Sequence, residues 1–244
     1  MIENERVVII DAGNTNVKFA IFKNHQLDSV SLIAYDDFVS EAHFIEESEW
    51  EGAISSVLSD EKNRLIQSKF PKLKWVHTQS LSQMTNQYQS KTLGIDRWCN
   101  VLGMQFLFPN VRSGLVVDVG TCVKYDFFDH NSYLGGAISP GVRMRYKSFN
   151  DYTDNLPLLE PKSTKDFIAN QTDHALHIGV MIGIENEIKG FIEAYSKNYQ
   201  NLTVIITGGD AKYFDLQAKN SIFAIENLTL YGIYQFFLCQ LETN

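Results

Sequence analysis

Cysteine is scarce in this 244-residue chain: Cys99, Cys122 and Cys239 are the full set. An odd number with no C-x-x-C spacing excludes a disulfide framework and a zinc site, and the three thiols are expected to be reduced and partly buried. No apolar run approaches the roughly 20 residues of a membrane span. The charged opening Met-Ile-Glu-Asn-Glu-Arg lacks the apolar core of a signal peptide, so the expected location is the cytoplasm. With a formal net charge of -8 the chain has no basic stripe, Arg143-x-Arg145-x-Lys147 being the nearest approach to one. Nucleic acid and anionic membrane are therefore not expected partners. Neither G-x-x-x-x-G-K-[ST] nor G-x-G-x-x-G occurs, so a nucleotide site must use another solution. No low-complexity linker interrupts the chain.

What the chain does have is one short turn used twice. Val7 to Ile10 run into Asp11, Ala12, Gly13, Asn14 and Thr15, and Leu115 to Val117 run into Asp118, Val119, Gly120 and Thr121. A carboxylate just past a strand can orient a hydrated metal, glycine lets backbone N–H groups approach phosphate oxygens, and Thr or Asn adds a hydrogen bond. After each turn the chain returns to strand-type residues, Val17 to Phe22 and Cys122 to Phe128, which predicts hairpins with functional tips. A single D-x-G-x-T is an ordinary Asp/Gly turn. Two copies, at positions 11 and 118, stand about one domain length apart and suggest a duplicated domain with one turn per half.

The length admits two small domains, and 44% hydrophobic residues suffice for a core in each. Elements alternate in the α/β manner. Helices are expected over 37–47 and 60–70, with short strands at 52–57 and 73–76 between and after them. The first half closes near Arg112, giving domains 1–112 and 113–244. Asp96 is placed to cap a helix over 97–107, ended by Pro109-Asn110. In the second half a glycine-rich stretch, Leu134 to Gly141, precedes a helix to about Asn155. A long helix is expected over 173–199, where Gly179, Gly183 and Gly190 should mark close packing, a bend or a ligand. A strand over 202–206 meets Thr207-Gly-Gly-Asp210, a turn bare enough to admit adenine or ribose. The segment 228–241 is apolar around much of its circumference and should be buried in the fold or at a subunit contact.

The five motifs Asp11 to Lys18, Gly94 to Arg97, Asp118 to Thr121, Gly135 to Gly141 and Thr207 to Asp210, in this order and spacing, resemble those of the type III pantothenate kinases. That family belongs to the acetate and sugar kinase, Hsp70 and actin superfamily. The resemblance implies an α/β fold of two duplicated ribonuclease H-like, actin-like ATPase domains with a cleft between them. It further implies transfer of the γ-phosphoryl group of ATP to pantothenate, the first step of coenzyme A biosynthesis, by a cytoplasmic homodimer. The segment Asp11, Ala12, Gly13, Asn14, Thr15, Asn16, Val17 and Lys18 becomes the ATP phosphate loop, with Asp11 beside the Mg²⁺-phosphate unit. Gly94, Ile95, Asp96 and Arg97 become pantothenate contacts, with Asp96 the general base. Asp118 becomes the ligand of a monovalent cation, K⁺ or NH₄⁺, and Thr121 an ATP contact. Gly208 and Gly209 join the ATP site, and Tyr88 and Thr172 join the substrate site.

Each assignment has a plainer alternative. Asp96 could be only a helix cap, Arg97 a surface ion pair, and Thr172 an N-cap. Where the commoner family form has D-G-T-A-x-T-x-D, this chain has Cys122-Val-Lys-Tyr-Asp126, and Lys124 stands where a hydroxyl is usual. His174 and His177 lack a suitable third metal ligand, and Cys122 reads as a packing residue. A partner-binding protein that has lost catalysis, such as a transcriptional accessory factor, and a kinase acting on a sugar or acetate remain alternatives. Asp11, Asp96 and Asp118 together argue against the first, and Gly94-Ile-Asp-Arg97 against the second.

Overall fold

The computed structural model describes residues 6–13, 16–40, 50–77, 84–90, 93–216 and 221–242. The chain divides into two compact units, one of Met1–Met84, Tyr88–Pro109 and Leu228–Asn244, the other of Thr85–Gln87 and Asn110–Asn227. One boundary between the units falls at Pro109/Asn110. The C-terminal helix, however, folds back into the first unit instead of staying with the half that precedes it.

The first unit carries a sheet of β1 (Arg6–Ala12), β2 (Asn16–Lys23), β3 (Gln26–Ala34), β4 (Gly52–Ser56) and β5 (Lys74–Trp75), in the order β3-β2-β1-β4-β5. β1 to β3 pair antiparallel, while β4 lies parallel to β1 and β5 parallel to β4. In the second unit, β6 (Thr85–Asn86) edges a sheet of β7 (Ser113–Val119), β8 (Cys122–Asp129), β9 (Ser132–Pro140), β10 (Thr203–Thr207) and β11 (Ile222–Ala224). Its order β11-β10-β7-β8-β9-β6 contains the same scheme, with β8 and β9 antiparallel and β10 and β11 parallel. The likeness extends to detail. β2 and β3 are joined by Asn24 and His25 at φ 49° and 64°, and β8 and β9 by His130 and Asn131 at φ 46° and 61°. These are the two-residue turns whose twist matches that of the strands they join. Just before each turn the register shifts, at Ile21/Phe22 and at Phe127/Phe128.

The glycine-rich stretch lies almost wholly in strand β9. Gly136 is required there because a Cβ would lie 1.7 Å from the Tyr125 carbonyl oxygen on β8. The helices follow expectation more closely. α1 (Tyr35–Ser40) covers the described part of the 37–47 helix, whose remainder, 41–49, lies outside the described residues. α2 is Asp60–Lys69 and α3 is Ile95–Leu107. α4 (Val142–Tyr152) ends three residues before Asn155. The long helix is α5 (Thr172–His177), a π-helical stretch Ile178–Ile182 and α6 (Gly183–Asn198). The expected irregularity falls between Gly179 and Gly183, but close packing does not explain the glycines. Gly179 and Gly190 have no atom within 4 Å of a would-be Cβ, and Gly183 has only Arg145 at 3.9 Å.

The last helix, α7 (Leu228–Glu242), is buried within the first unit, with Leu228, Leu230 and Ile233 fully enclosed. Tyr234 stacks on Phe22 at 4.2 Å between centroids, and Thr229 Oγ1 donates to Asn100 Oδ1 of α3 at 2.8 Å. α3 and α7 touch backbone to backbone. A Cβ on Gly232 would lie 1.8 Å from the Cys99 carbonyl oxygen, and one on Gly103 would lie 2.3 Å from that of Leu228. The helix that carries Asp96 is thus anchored against β1 and β4 by the end of the chain. No helix among the described residues is long and apolar enough to cross a membrane.

Candidate active site

In the first unit the Asp-x-Gly turn follows from β1 reaching the end of its two ladders. Asp11 pairs with Lys18 of β2 on one side and with Ser55 of β4 on the other. The Gly13 N–H donates to the Asn16 carbonyl at 3.1 Å and closes the turn. Asn14 and Thr15, both assigned to ATP by the resemblance, lie outside the described residues. Ala12 and Val17 point into the core at 0% exposure, so what they can offer a ligand is backbone. Asp11 and Lys18 are half-buried, and Asn16 is exposed.

Asp96 comes to the same neighbourhood from α3. The helix starts one residue earlier than a cap at Asp96 would require: Gly94 is the N-cap, Ile95 the first helical residue and Asp96 the second. The cap alternative for Asp96 is thereby corrected. Its Oδ1 folds back to 2.6 Å from where a Gly94 Cβ would stand, so only glycine leaves the carboxylate that position. A carboxylate in the first turn also gains from the positive end of the helix dipole. Arg97 is only 4% exposed, with its guanidinium carbon 5.4 Å from the Tyr88 ring centre. The surface ion-pair reading of Arg97 fails on that burial, and two residues expected at the substrate site are brought together.

The group that ties the carboxylates together is Cys99, one turn into α3. Burial pushes its thiol well up, and the charges of Asp11 and then Asp96 push it further, while the neighbouring Ser55 hydroxyl draws it down. Two carboxylates 85 positions apart in sequence therefore bear on one buried thiol. Cys99 and Ser55 were not singled out from the sequence. Their signal was there only in the ladder register, which sets Ser55 beside Asp11.

The second unit gathers three turns. Asp118 is the last residue but one of β7, the Gly120 N–H donates to the Cys122 carbonyl at 3.1 Å, and Thr121 is exposed at the tip. The Gly141 N–H, at the start of α4, donates to the Thr121 carbonyl at 3.1 Å. From β10, Thr207 pairs with Asp118, and the Asp210 N–H donates to the Val119 carbonyl at 3.0 Å. Gly208 has φ 98°, and a Cβ on it would lie 2.3 Å from the Val119 oxygen and 2.5 Å from Asp118 Oδ1. Gly209 is exposed, with nothing within 4 Å of a would-be Cβ. The result is a surface of bare backbone beside a carboxylate, suited to a flat or anionic group. Burial raises the Asp210 carboxyl, while Arg143 and Lys212 draw it down.

Across the ladder from Asp118, Lys124 turns inward. Its ammonium lies 2.7 Å from Asp118 Oδ2, with the two side chains 17% and 14% exposed.

The family model for type III pantothenate kinase matches residues 7–194. The chain belongs to the type III pantothenate kinases. It is 35% identical to the type III pantothenate kinase of Flavobacterium johnsoniae over 246 residues, covering 98% of this chain and 100% of the relative. To that of Phocaeicola vulgatus it is 36% identical, covering 93% and 95%. Among solved structures, a protein from Campylobacter jejuni provisionally assigned to a Baf family of transcriptional activators superposes with TM-score 0.65 at 20% identity, covering 98% and 100%. A provisionally assigned sugar kinase from Cytophaga hutchinsonii superposes with TM-score 0.51 at 15% identity, covering 96% and 100%. These two likenesses are of fold alone, a mixed α/β fold with two sheets of the sugar kinase kind.

For a type III pantothenate kinase the remaining candidates sort readily. Thr172 is the exposed first residue of α5 after the N-cap Gln171, so the capping alternative does not hold. It flanks a cavity lined by Lys162, Thr164, Gln171, His174 and His177. His177 Nδ1 faces the Tyr146 hydroxyl at 2.8 Å and His174 Nε2 faces Asp166 at 3.1 Å. Among the described residues no group of three or more His, Cys, Asp or Glu could hold a metal ion. Arg143 pairs with Glu160 on the surface, and Arg145 is held by Glu187 and the Pro140 carbonyl. Burial works against the Glu187 charge, yet hydrogen bonds from Ser139, Arg145 and Tyr125 hold its carboxyl below the usual range. Both arginines are thus held in ion pairs.

Asp11 fits Mg²⁺ brought by a nucleotide, because that ion keeps several waters and takes one or two carboxylates plus phosphates. Asp118 does not fit a free monovalent cation in the same way, since Lys124 already sits on one of its oxygens.

Proposed function

We propose that this pantothenate kinase uses Asp96 as the base that accepts the proton of the substrate's primary hydroxyl as that oxygen attacks the γ-phosphorus of ATP. The bond to the β–γ bridging oxygen breaks, ADP leaves, and 4′-phosphopantothenate forms. The observations that support this reading are the match to the type III pantothenate kinase family and the place of Asp96 in the first turn of α3, its Oδ1 lying where a side chain on Gly94 would stand.

Phosphoryl transfer passes through a loose transition state, so the protein chiefly aligns the reactants and neutralises spreading charge. Bound Mg²⁺ would supply charge neutralisation on the phosphate oxygens. Asp11 would hold that ion, and the segment Asp11 to Lys18 is assigned to the phosphates. Asp96 needs only hydrogen-bond reach of the attacking hydroxyl, whose acidity rises as the oxygen–phosphorus bond forms. Arg97, oriented against Tyr88, recognises the pantothenate carboxylate, with Gly94 and Ile95 lining the same site. In the second unit Thr121, Gly208 and Gly209 are assigned to ATP. The matching strand schemes of the two units are read as a duplication of an actin-like domain.

The test is ADP release from ATP and Mg²⁺ with and without pantothenate. Release that depends on pantothenate, and that does not appear with a sugar or acetate as acceptor, supports the reading; release with another acceptor only would overturn it. A cytoplasmic homodimer is proposed as the working form, with Thr172 of α5 reaching substrate. The expected mass in solution at micromolar concentration is twice 27.8 kDa. A monomer by light scattering would remove the dimer.

A further inference from the structure

Lys124 stands where the commoner family form has a hydroxyl. In an antiparallel ladder, residues directly opposite have Cβ atoms about 4.5–5.5 Å apart, and a lysine at such a place is free to extend its flexible stem into solvent. Lys124 is directly opposite Asp118 and does the reverse: its ammonium reaches Asp118 Oδ2 at 2.7 Å, with 17% of the side chain exposed. The neighbouring strand residues explain the choice. Val123 and Tyr125 are fully buried on the other face, so Lys124 is left on the face of the turn. The second carboxylate oxygen, Oδ1, is backed by Gly208, whose would-be Cβ would stand 2.5 Å from it. One oxygen is thus against backbone and the other against an ammonium.

We propose that Lys124 is the resident cation of the second turn, holding on Asp118 the place of the K⁺ or NH₄⁺ implied by the resemblance, so that phosphoryl transfer by this chain does not depend on a monovalent cation. The inference rests on the kinase reading for its activity readout, but not for its binding readout. An alkylammonium group carries the same unit charge as K⁺ and donates hydrogen bonds as NH₄⁺ does, and it is tethered at no translational cost. A free cation on the same carboxylate would meet that charge at about 4 Å, a repulsion that lowers its affinity by about a thousandfold at the effective dielectric of a protein. The first turn differs in its spacing. Lys18 likewise stands opposite Asp11, but seven positions separate that pair and six separate Asp118 from Lys124, so the second turn is the shorter by one residue.

The experiment compares rates in K⁺, NH₄⁺, Na⁺ and choline salts at equal ionic strength, together with a thallium(I) NMR titration in which Tl⁺ stands in for K⁺. The wild-type protein is expected to keep its rate within about twofold across the four salts and to show no saturable Tl⁺ site. Lys124→Met, which keeps the stem and removes the charge, is expected to lose about 10²-fold in choline and to recover in K⁺ or NH₄⁺, with a saturable Tl⁺ site appearing. Wild-type activity that rises about tenfold or more with K⁺, or a saturable Tl⁺ site in the wild type, would overturn the proposal. These two measurements need no variant, so a Lys124→Met protein that does not fold leaves the decision to them. If no acceptor is phosphorylated in any salt, the kinase reading fails, and the Tl⁺ titration still decides the role of Lys124.

Discussion

Asp96→Asn is expected to reduce kcat by about 10²–10⁴-fold, the range for loss of a positioned general base. Binding of Mg·ATP, measured by calorimetry, should change by no more than about twofold, since the group removed acts on the acceptor hydroxyl in the transition state. Asparagine keeps the size and polarity of the side chain and loses its capacity to take up a proton. Fold is not the confounding factor, because the cap of α3 is Gly94 and makes no side-chain cap hydrogen bond. The loss of a first-turn charge from the helix dipole costs at most about 1 kcal/mol. Asp11→Asn provides the contrast. It should weaken Mg·ATP binding, because Asp11 acts on the metal–phosphate unit present in both ground state and transition state. A wild-type rate in Asp96→Asn would remove Asp96 from the chemistry and leave the two carboxylates as a matter of structure.

The residues that were legible from sequence are those whose chemistry is local. Both turns declare themselves by an apolar run ending in Asp-x-Gly, and β1, β2, β7 and β8 follow from the β-branched residues on either side. Strand β3 gave no such signal. Most of its residues are exposed and its sequence mixes Ser and Asp with Leu and Ile, so neither face carries a period of two. β9 was hidden by its glycines, of which Gly136 serves a close approach to β8. The unit to which α7 belongs could not follow from order along the chain, since it is decided by docking against α3 and β1. The same holds in the site. Asp11, Asp96 and Asp118 were visible, but Ser55, Cys99 and the Lys124–Asp118 pair depend on register. A shift of one residue in β8 would turn Lys124 to the opposite face.

Gly232→Ala and Gly190→Ala, the same one-carbon change on two helices, are expected to act in opposite directions. At Gly232 the new carbon would lie 1.8 Å from the Cys99 carbonyl oxygen and 2.5 Å from its carbon. Backbone cannot yield as a flexible side chain does, so α7 must move off α3, and the cost belongs at or above the upper end of the overpacking range, about 3 kcal/mol. Against a total stability of about 5–15 kcal/mol this is a large fraction. For a chain of this length it corresponds to a fall in Tm of about 6–12 °C. Because α3 carries Asp96 and Arg97 in its first turn, the shift should also depress kcat at temperatures where the variant remains folded. Gly190 lies on an exposed face of α6 with nothing within 4 Å of the new carbon. Alanine there removes the entropic penalty of glycine in a helix, worth about 1 kcal/mol, and Tm should rise by about 2–4 °C with kcat unchanged. Calorimetric melting of the two variants checks both signs. An unchanged Tm for Gly232→Ala would mean that α7 does not hold α3 by backbone contact, and the position of Asp96 would then need another support.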